Sequence, residues 1–561
     1  MARDPAVERG AMVLDELARR RDGTKAPKVV ELAPPAGEDK GGRRIFPGGR
    51  ARALAAADQI LGQQEGVFQR NGALVLVAKM HDSKTSDIAL VSRDPDSLLI
   101  HRMTPEHVLN ILAREPWLKF DKRSDQWVPT DYPQNYARGV VSAIEWTNVR
   151  PLTAIIGAPT LDTDMNLIEV PGYHAGTGLL LATSSRFAKV PDSPTKDEAI
   201  AALNMLRDPF AEFPWARRDT DPEHATAAES AHLAAIVTPG VRHILDTAPA
   251  IGYDAPRRGT GKTLLADAIG TIWHGTAPAH ANYAKGDDEF RKMIASCLVA
   301  GDQIVMIDNV DRPLRSAELC NALTTTRYSD RRLGHTERYV LDARVTWLLN
   351  GNNLVLVGDL ARRVIISRID AEQERPETRT FRIPNLLQHI AQHRHALVPA
   401  ALTIVKAFAL ANPPRQATPL GSFERWSRMI REALIWLDMP DPCETTPDSN
   451  EGEPETQAFT GVLSAWRTAY GESARTAPDV ATDALESYRD QGTEVFAKPE
   501  LRHALEAALG GAREITARNL GYYLRKWQGV VADGLRLRRL GKRHGGHTAW
   551  RLEERTDTGW R

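Results

Sequence analysis

Two apolar patterns alternate along this chain. Short apolar runs bounded by Gly, Pro and polar residues read as strands, and longer stretches with apolar positions every third or fourth residue read as helices. From about Ala51 to Thr220, ALVLVAKM (Ala73 to Met80), SLLIHRM and PLTAIIGAPTL are strand-like, and LDTDMNLIEVPGYHAGTGLLLATS reads as hairpins punctuated by Pro171, Gly172 and Gly176. TPEHVLNILAREPWLKF reads as a capped helix and PTKDEAIAALNMLR, Pro194 to Arg207, as another, followed by the aromatic stretch PFAEFPWARR. A helix over Glu223 to Ile236 then leads to an extended segment, Thr247 to Ala255, and the helical LLADAIGTIW. QIVMIDNVD (Gln303 to Asp311), RVTWLLNGNN (Arg344 to Asn353) and the apolar part of DLARRVIISRID add three strands, so an α/β fold is expected here.

Two long amphipathic helices, in IPNLLQHIAQHRHALVPAALTIVKAFALA and GSFERWSRMIREALIWLDM, follow as a helical lid. Beyond them lie helices around Phe459 to Tyr470 and Lys498 to Leu509, the segment TARNLGYYLRKWQG, and VVADGLRLRRLGKRHGGHTAWRLEE. The last alternates like two strands joined by a Gly/His-rich turn, and helices followed by a β-ribbon look like a winged helix.

Breaks in this pattern divide the chain. Residues 1–50, with a short helix at Val7 to Arg21 and the Pro, Gly and charged run APKVVELAPPAGEDKGGRR, read as a flexible leader. Residues 51–225 form a mixed α/β region, 226–440 the central module with its lid, 441–457 an acidic linker and 458–561 the winged-helix-like unit. The 561 residues exceed what one core supports. Lys+Arg and Asp+Glu balance at 72 each, so any nucleic-acid contact must come from a local patch or from patches brought together by assembly. Cys297, Cys320 and Cys443 have no paired spacing, which argues against a disulfide framework or structural zinc. The charged N-terminal segment has no apolar core of signal-peptide length, and no long apolar run suggests a membrane span, so a cytoplasmic protein is expected.

The chemistry concentrates in PRRGTGKT, Pro256 to Thr263, between the extended segment and the helix. Strand, glycine loop and helix are the order of a P-loop: Gly259, Thr260 and Gly261 let backbone amides close on phosphate, and the helix N-terminus at Lys262 to Leu264 faces it. Lys262 would reach the β/γ-phosphates and Thr263 would offer its hydroxyl to Mg²⁺, a site for ATP. Pro256 stands where the pattern has its first glycine and removes one amide donor. Asp308 ends the run VMID on a strand expected beside the P-loop, where its carboxylate would hold the Mg²⁺ shell. Asn309, which follows it, cannot accept a proton, and this leaves the base open, with Asp311 a candidate. Asn352 or Asn353 would sense the γ-phosphate, Asn350 being the weaker choice. Arg362 or Arg363 would reach a neighbouring subunit's nucleotide as a finger in trans, the competing reading being a surface ion pair. Asp162 and Asp164 form a D-x-D that reads as a turn rather than a two-metal centre.

The set PRRGTGKT, VMIDN, the strand ending in NGNN, and DLARR resembles the AAA+ ring ATPases, most of all the superfamily 3 helicases and primase-helicases of phages, plasmids and integrated mobile elements. The resemblance spans roughly Ala231 to Trp436. It implies a homo-hexameric ring that hydrolyses ATP between subunits and moves single-stranded or forked DNA through its centre, with host replication proteins as further partners. It also implies a DNA-contacting hairpin in TTTRYSDRRLGHTERYVLDAR, where Arg332, His335 and Arg338 would grip phosphates or, alternatively, serve the subunit interface. In the winged-helix-like unit, Arg518, Arg525 and Lys526 lie on the expected recognition helix, and Arg536, Arg538, Arg539, Lys542 and Arg543 make the ribbon basic; protein docking is the alternative use. A primase-helicase with chemistry in the N-terminal region, and an initiator or defence ATPase that uses nucleotide as a switch, are the rival functions.

Overall fold

The N-terminal unit begins with a helix, Arg50–Gln63, that buries Ala53, Ala57, Ile60 and Leu61. It packs beside two three-stranded sheets, one of Val67–Arg70, Ala73–Lys79 and Leu98–Arg102, the other of Arg43–Ile45, Trp117–Asp121 and Gln126–Thr130. The computed structural model describes residues 42–45, 49–79, 91–143, 145–217, 225–283, 286–331, 338–370, 381–445, 454–490, 493–510, 514–542, 547–556 and 559–560. The expected helix at Val7 to Arg21 lies outside the described residues. The helix expected to run through Phe120 is shorter, Pro105–Leu112, capped by Thr104, whose hydroxyl accepts from His107 N while His107 Nδ1 accepts from Thr104 N. Trp117 to Phe120 continue as a strand because Trp117 packs into the sheet core and against Tyr132.

The central module is a six-stranded sheet. Its strands are β1 (Val91–Ser92), β2 (Ala250–Ala255), β3 (Ala279–Asn282), β4 (Ile304–Val310), β5 (Thr346–Asn352) and β6 (Val364–Arg368), in the spatial order β6-β2-β5-β4-β3-β1. β2 to β6 are parallel; β1, donated by the N-terminal region, runs antiparallel at the edge beside β3. The sequence placed the strand of Asp308 beside the P-loop strand. Instead β5 lies between β4 and β2, in agreement with a strand whose Thr346 to Gly351 are all buried and which therefore needs cover on both faces and both edges. Each large apolar side chain it buries contributes about 1.5–3 kcal/mol.

Helices α1 (Lys196–Arg207), α2 (Ala227–Val237), α3 (Lys262–His274), α4 (Asp287–Ala300) and α5 (Ala317–Thr324) precede the long α6 (Leu386–Ala411). α6 packs against α1 and α3, so the helical layer joins chain from before the glycine loop to chain after β6. By length and apolarity α6 alone among the described helices resembles a membrane span, but most of it is buried inside the protein. Its buried Arg394 donates to the carbonyls of Ile272 and Trp273, both at 3.1 Å, and so satisfies the C-terminal end of α3. The same guanidinium reaches Gly157 O at 2.9 Å and Ser185 Oγ at 3.1 Å, tying the N-terminal region to the helix that carries the glycine loop.

The second lid stretch is broken into Glu424–Trp426, a π-helical turn Ser427–Arg431 and Glu432–Trp436. The C-terminal unit has its own apolar core. Its first helix, Pro454–Tyr470, starts inside the stretch read as linker; Pro499–Leu509 and α7 (Ala517–Lys526) follow. Strands Leu535–Lys542 and Thr548–Thr556 form the ribbon, joined at its edge by Arg475–Thr476, which the sequence did not reveal.

Candidate nucleotide-binding site

β2 is buried along its whole length, and the chain leaves it at Pro256 to enter an irregular loop that ends at Gly261, the residue before α3. Gly259 and Gly261 have φ of 77° and 94°, a region that disfavours side chains. A Cβ on Gly261 would also come within 3.0 Å of the Phe213 ring, so the aromatic stretch after α1 packs on the loop. The amides of Gly259, Thr260 and Gly261 make no backbone hydrogen bond among the described residues, and the first-turn amides of α3 are open by helix geometry.

Lys262 is 8% exposed. Its ammonium donates to Asn352 Oδ1 at 2.9 Å, Arg257 O at 3.1 Å and Thr260 Oγ1 at 3.3 Å. Burial lowers its pKa below the usual lysine value, while the carboxylates of Asp254 and Asp308 act to raise it. Asp254, which the sequence reading missed, is buried near the end of β2, where its oxygens accept from Leu354 N at 2.8 Å and Arg368 Nη1 at 2.6 Å. Its signal was weak, a single acid closing an apolar strand. Opposite it in register stands Arg368 of β6.

Asp308 sits half-buried where β4 bulges, its register partner on β3 being Asn282. Asn309 takes φ 56° and exposes its side chain, and its main-chain N–H donates to Asn350 Oδ1 at 2.7 Å. Asn350 Nδ2 donates in turn to Thr263 Oγ1 at 3.0 Å. The three asparagines of β5 and its end therefore part company: Asn350 meets Thr263, Asn352 meets Lys262, and exposed Asn353, at φ 50°, donates its N–H to Ala255 O. Asp311 is exposed with Arg312 at 4.0 Å.

One helical turn below Thr263, Asp267 holds His280 of β3 at 2.7 Å, and this hydrogen bond raises the imidazole pKa above its ordinary value against the effect of burial. The donor set fits a magnesium nucleotide: a loop of open amides, an ammonium for phosphate, and a hydroxyl with a carboxylate for a hard cation. Leu264, in the first turn of α3, packs its side chain against the main apolar cluster.

Arg362 and Arg363 lie on a 3₁₀ turn, Gly358–Arg363, and share Asp359. They are not equivalent. Arg363 is 13% exposed and also donates to Cys320 O at 2.8 Å and Thr324 Oγ1 at 3.2 Å, whereas Arg362 is 56% exposed.

A hairpin of Arg327–Arg331 and Arg338–Asp342 stands between α5 and β5, with Arg331 opposite Arg338. Arg332 and His335 lie outside the described residues, as does the side chain of Arg338. The D-x-D is a turn, in which Asp162 Oδ1 accepts from Asp164 N at 2.9 Å and from Asn166 N at 2.8 Å. Lid residues Arg428 and Arg431 are engaged locally by Glu432 and Asp441.

In the C-terminal unit Arg518, Tyr522, Arg525 and Lys526 are exposed on α7, with the Arg525 guanidinium 4.7 Å from the Tyr522 ring centre. The ribbon is less basic than its composition. Arg536 and Arg538 both bind Glu553, as does Arg551, so a carboxylate 2% exposed neutralises part of that charge. Arg539 is exposed; the side chains of Lys542 and Arg543 lie outside the described residues.

The parallel sheet, glycine loop and converging side chains define an α/β chain with a P-loop ATPase-like core. No family model and no curated protein matches the chain. Among solved structures it is similar to the apo C-terminal region of NrS-1, at 11% identity and TM-score 0.32, covering 79% of this chain and 97% of that one. An active SCCmec type IV Cch helicase matches at 11% identity and TM-score 0.33, over 87% and 97% of the two chains. A ligand-bound JCV helicase matches at 11% identity and TM-score 0.19, over 43% and 67%.

Proposed function

We propose that this chain is an ATP-dependent DNA motor, a helicase or translocase of a phage or mobile element, working as a homo-oligomeric ring, most simply a hexamer. The observation that carries the proposal is the meeting of the glycine loop with β5, where Lys262 touches Asn352 and Thr263 touches Asn350. In that arrangement Lys262 and the amides of Gly259 to Leu264 would hold the phosphates of ATP, and Thr263 with Asp308 would hold Mg²⁺. When bound, the cation would supply charge neutralisation at the phosphates. Asn352, placed on the lysine, would orient the ammonium, and exposed Arg362 would reach a neighbouring subunit's site. α7 and the hairpin supply sequence-independent grip on DNA backbone.

A second reading, in which nucleotide switches assembly and no DNA is moved, is favoured by Asn309, whose carboxamide cannot accept the proton of an attacking water. The primase reading has no support in Asp162, whose carboxylate closes its own turn. The deciding experiment measures ATP hydrolysis by the full chain with and without single-stranded and forked DNA, beside Lys262→Ala and mass in solution. DNA-stimulated turnover by a ring, lost in Lys262→Ala, is expected. Nucleotide binding with negligible hydrolysis under every condition would transfer the argument to the switch, and turnover by Lys262→Ala would remove the site.

A further inference from the structure

We infer that Asn350 is a positioning residue that sets the face Thr263 presents to the metal of a bound nucleotide; this rests on the nucleotide-binding reading above. The residue is 4% exposed and both ends of its carboxamide are used. Oδ1 accepts the main-chain N–H of Asn309 at 2.7 Å. A main-chain N–H can only donate, so the amide has one permitted orientation and Nδ2 must face Thr263. The 3.0 Å contact to Thr263 Oγ1 therefore makes the hydroxyl an acceptor. One lone pair is taken, the hydroxyl proton is turned elsewhere, and the second lone pair is left for a hard cation.

The other end of the amide is as informative. Between Ile307 and Val310 the β4 register shifts, and Asn309 leaves extended geometry. Its N–H loses a ladder partner there, and Asn350 replaces it. Because β5 pairs with both β2 and β4, one buried side chain on it reaches the first turn of α3 and the residue after Asp308 together. Thr263 and the residue after Asp308 are thus joined through one group whose two amide ends are both spent on the protein. A residue in this role affects metal-dependent binding and leaves the phosphate cradle alone.

The test titrates the full-length protein with a non-hydrolysable ATP analogue, with Mg²⁺ and with chelator, for Asn350→Ala, Thr263→Ala and the double variant. In Asn350→Ala, metal-free affinity is expected within about twofold of the parent, and the Mg²⁺ concentration for half-saturation to rise about tenfold. That rise should vanish in the Thr263→Ala background, since the effect passes through the hydroxyl. Asn350→Asp, which keeps an acceptor for Asn309 N–H and lacks a donor for Thr263, covers the case in which the alanine variant does not fold. It is expected to show the same non-additivity, read at a temperature at which its own unfolding curve shows it folded. Additive effects of positions 350 and 263, or equal losses with and without metal, overturn the inference. The nucleotide-binding reading is judged separately, by binding to the parent chain and its loss in Lys262→Ala; a parent that binds no nucleotide removes both.

Discussion

Lys262 Nζ donates to Asn352 Oδ1 at 2.9 Å, joining the buried lysine of the glycine loop to the tip of the adjacent strand. A hydrogen bond to a charged group is worth about 1.5–3 kcal/mol, and in the proposed site this one would aim the ammonium. Asn352→Ala is expected to lower kcat roughly 10- to 100-fold while nucleotide affinity changes by less than about threefold. Steady-state hydrolysis and equilibrium nucleotide titration check this. A large loss of affinity with unchanged kcat would show that Asn352 supports the loop instead.

Glu553 supplies a prediction on pH. Its burial works against ionisation, but hydrogen bonds from Arg536, Arg551 and Arg538 outweigh that effect and hold its pKa at about 2, against an ordinary 4.5. The folded value is depressed, so the stabilisation is fully present above about 4.5 and is lost as pH falls through the folded pKa. Glu553→Gln is expected to destabilise the C-terminal unit by about 1–3 kcal/mol at neutral pH, discounted for the exposure of the arginines, with the difference shrinking toward pH 2. Thermal unfolding of parent and variant across that range measures it.

What was legible in the sequence follows from what is local. The glycine loop could be read because phosphate binding needs its residues contiguous, and Asp308 because its carboxylate closes an apolar strand that follows the loop, whereas Asp254 closes the strand that precedes it. Asn350 was ranked below its neighbours because its importance comes from a bulge in another strand, a feature of pairing rather than of spacing. The position of β5 depends on non-local pairing, which periodicity does not report. Trp117 to Phe120 continued the helical spacing and were drawn into the helix before them, although the Trp117 side chain is committed to the sheet core. The ribbon's charge was overcounted for a related reason: composition counts arginines, and Glu553 stands across the ribbon from Arg536.

α7 carries its exposed cations without an acidic residue, and Tyr522 is 58% exposed among them. If the helix lies on nucleic acid, each phosphate contact removed lowers the slope of log affinity against log salt by about 0.7–0.9. Arg518→Ala with Arg525→Ala is expected to weaken DNA binding uniformly across sequences and to reduce the slope by about 1.4–1.8, leaving DNA-free ATP hydrolysis unchanged. Fluorescence anisotropy at several salt concentrations reads both quantities. An unchanged slope would assign this face to a protein partner.

Arg362 and Arg363 separate in the same way, by what holds them. Arg363 is 13% exposed and fastened to Cys320 O, Thr324 Oγ1 and Asp359, so its removal opens a packed turn; Arg363→Ala is expected to lower the thermal midpoint. Arg362, 56% exposed and held only by Asp359 among the described residues, is free to exchange that carboxylate for phosphate oxygen. Arg362→Ala is therefore expected to keep the parental midpoint and nucleotide affinity and to lose hydrolysis by about 10³-fold, the scale of an arginine supplied in trans. The proposed arrangement in trans has a sharper consequence. A subunit with Lys262→Ala retains its arginine, and a subunit with Arg362→Ala retains its glycine loop, so mixing the two inactive proteins creates interfaces with one intact copy of each. Hydrolysis should reappear on mixing and rise with the chance of such interfaces. Mixtures that stay silent while subunits demonstrably exchange would place Arg362 outside the neighbour's site and leave its pairing with Asp359 as its whole role.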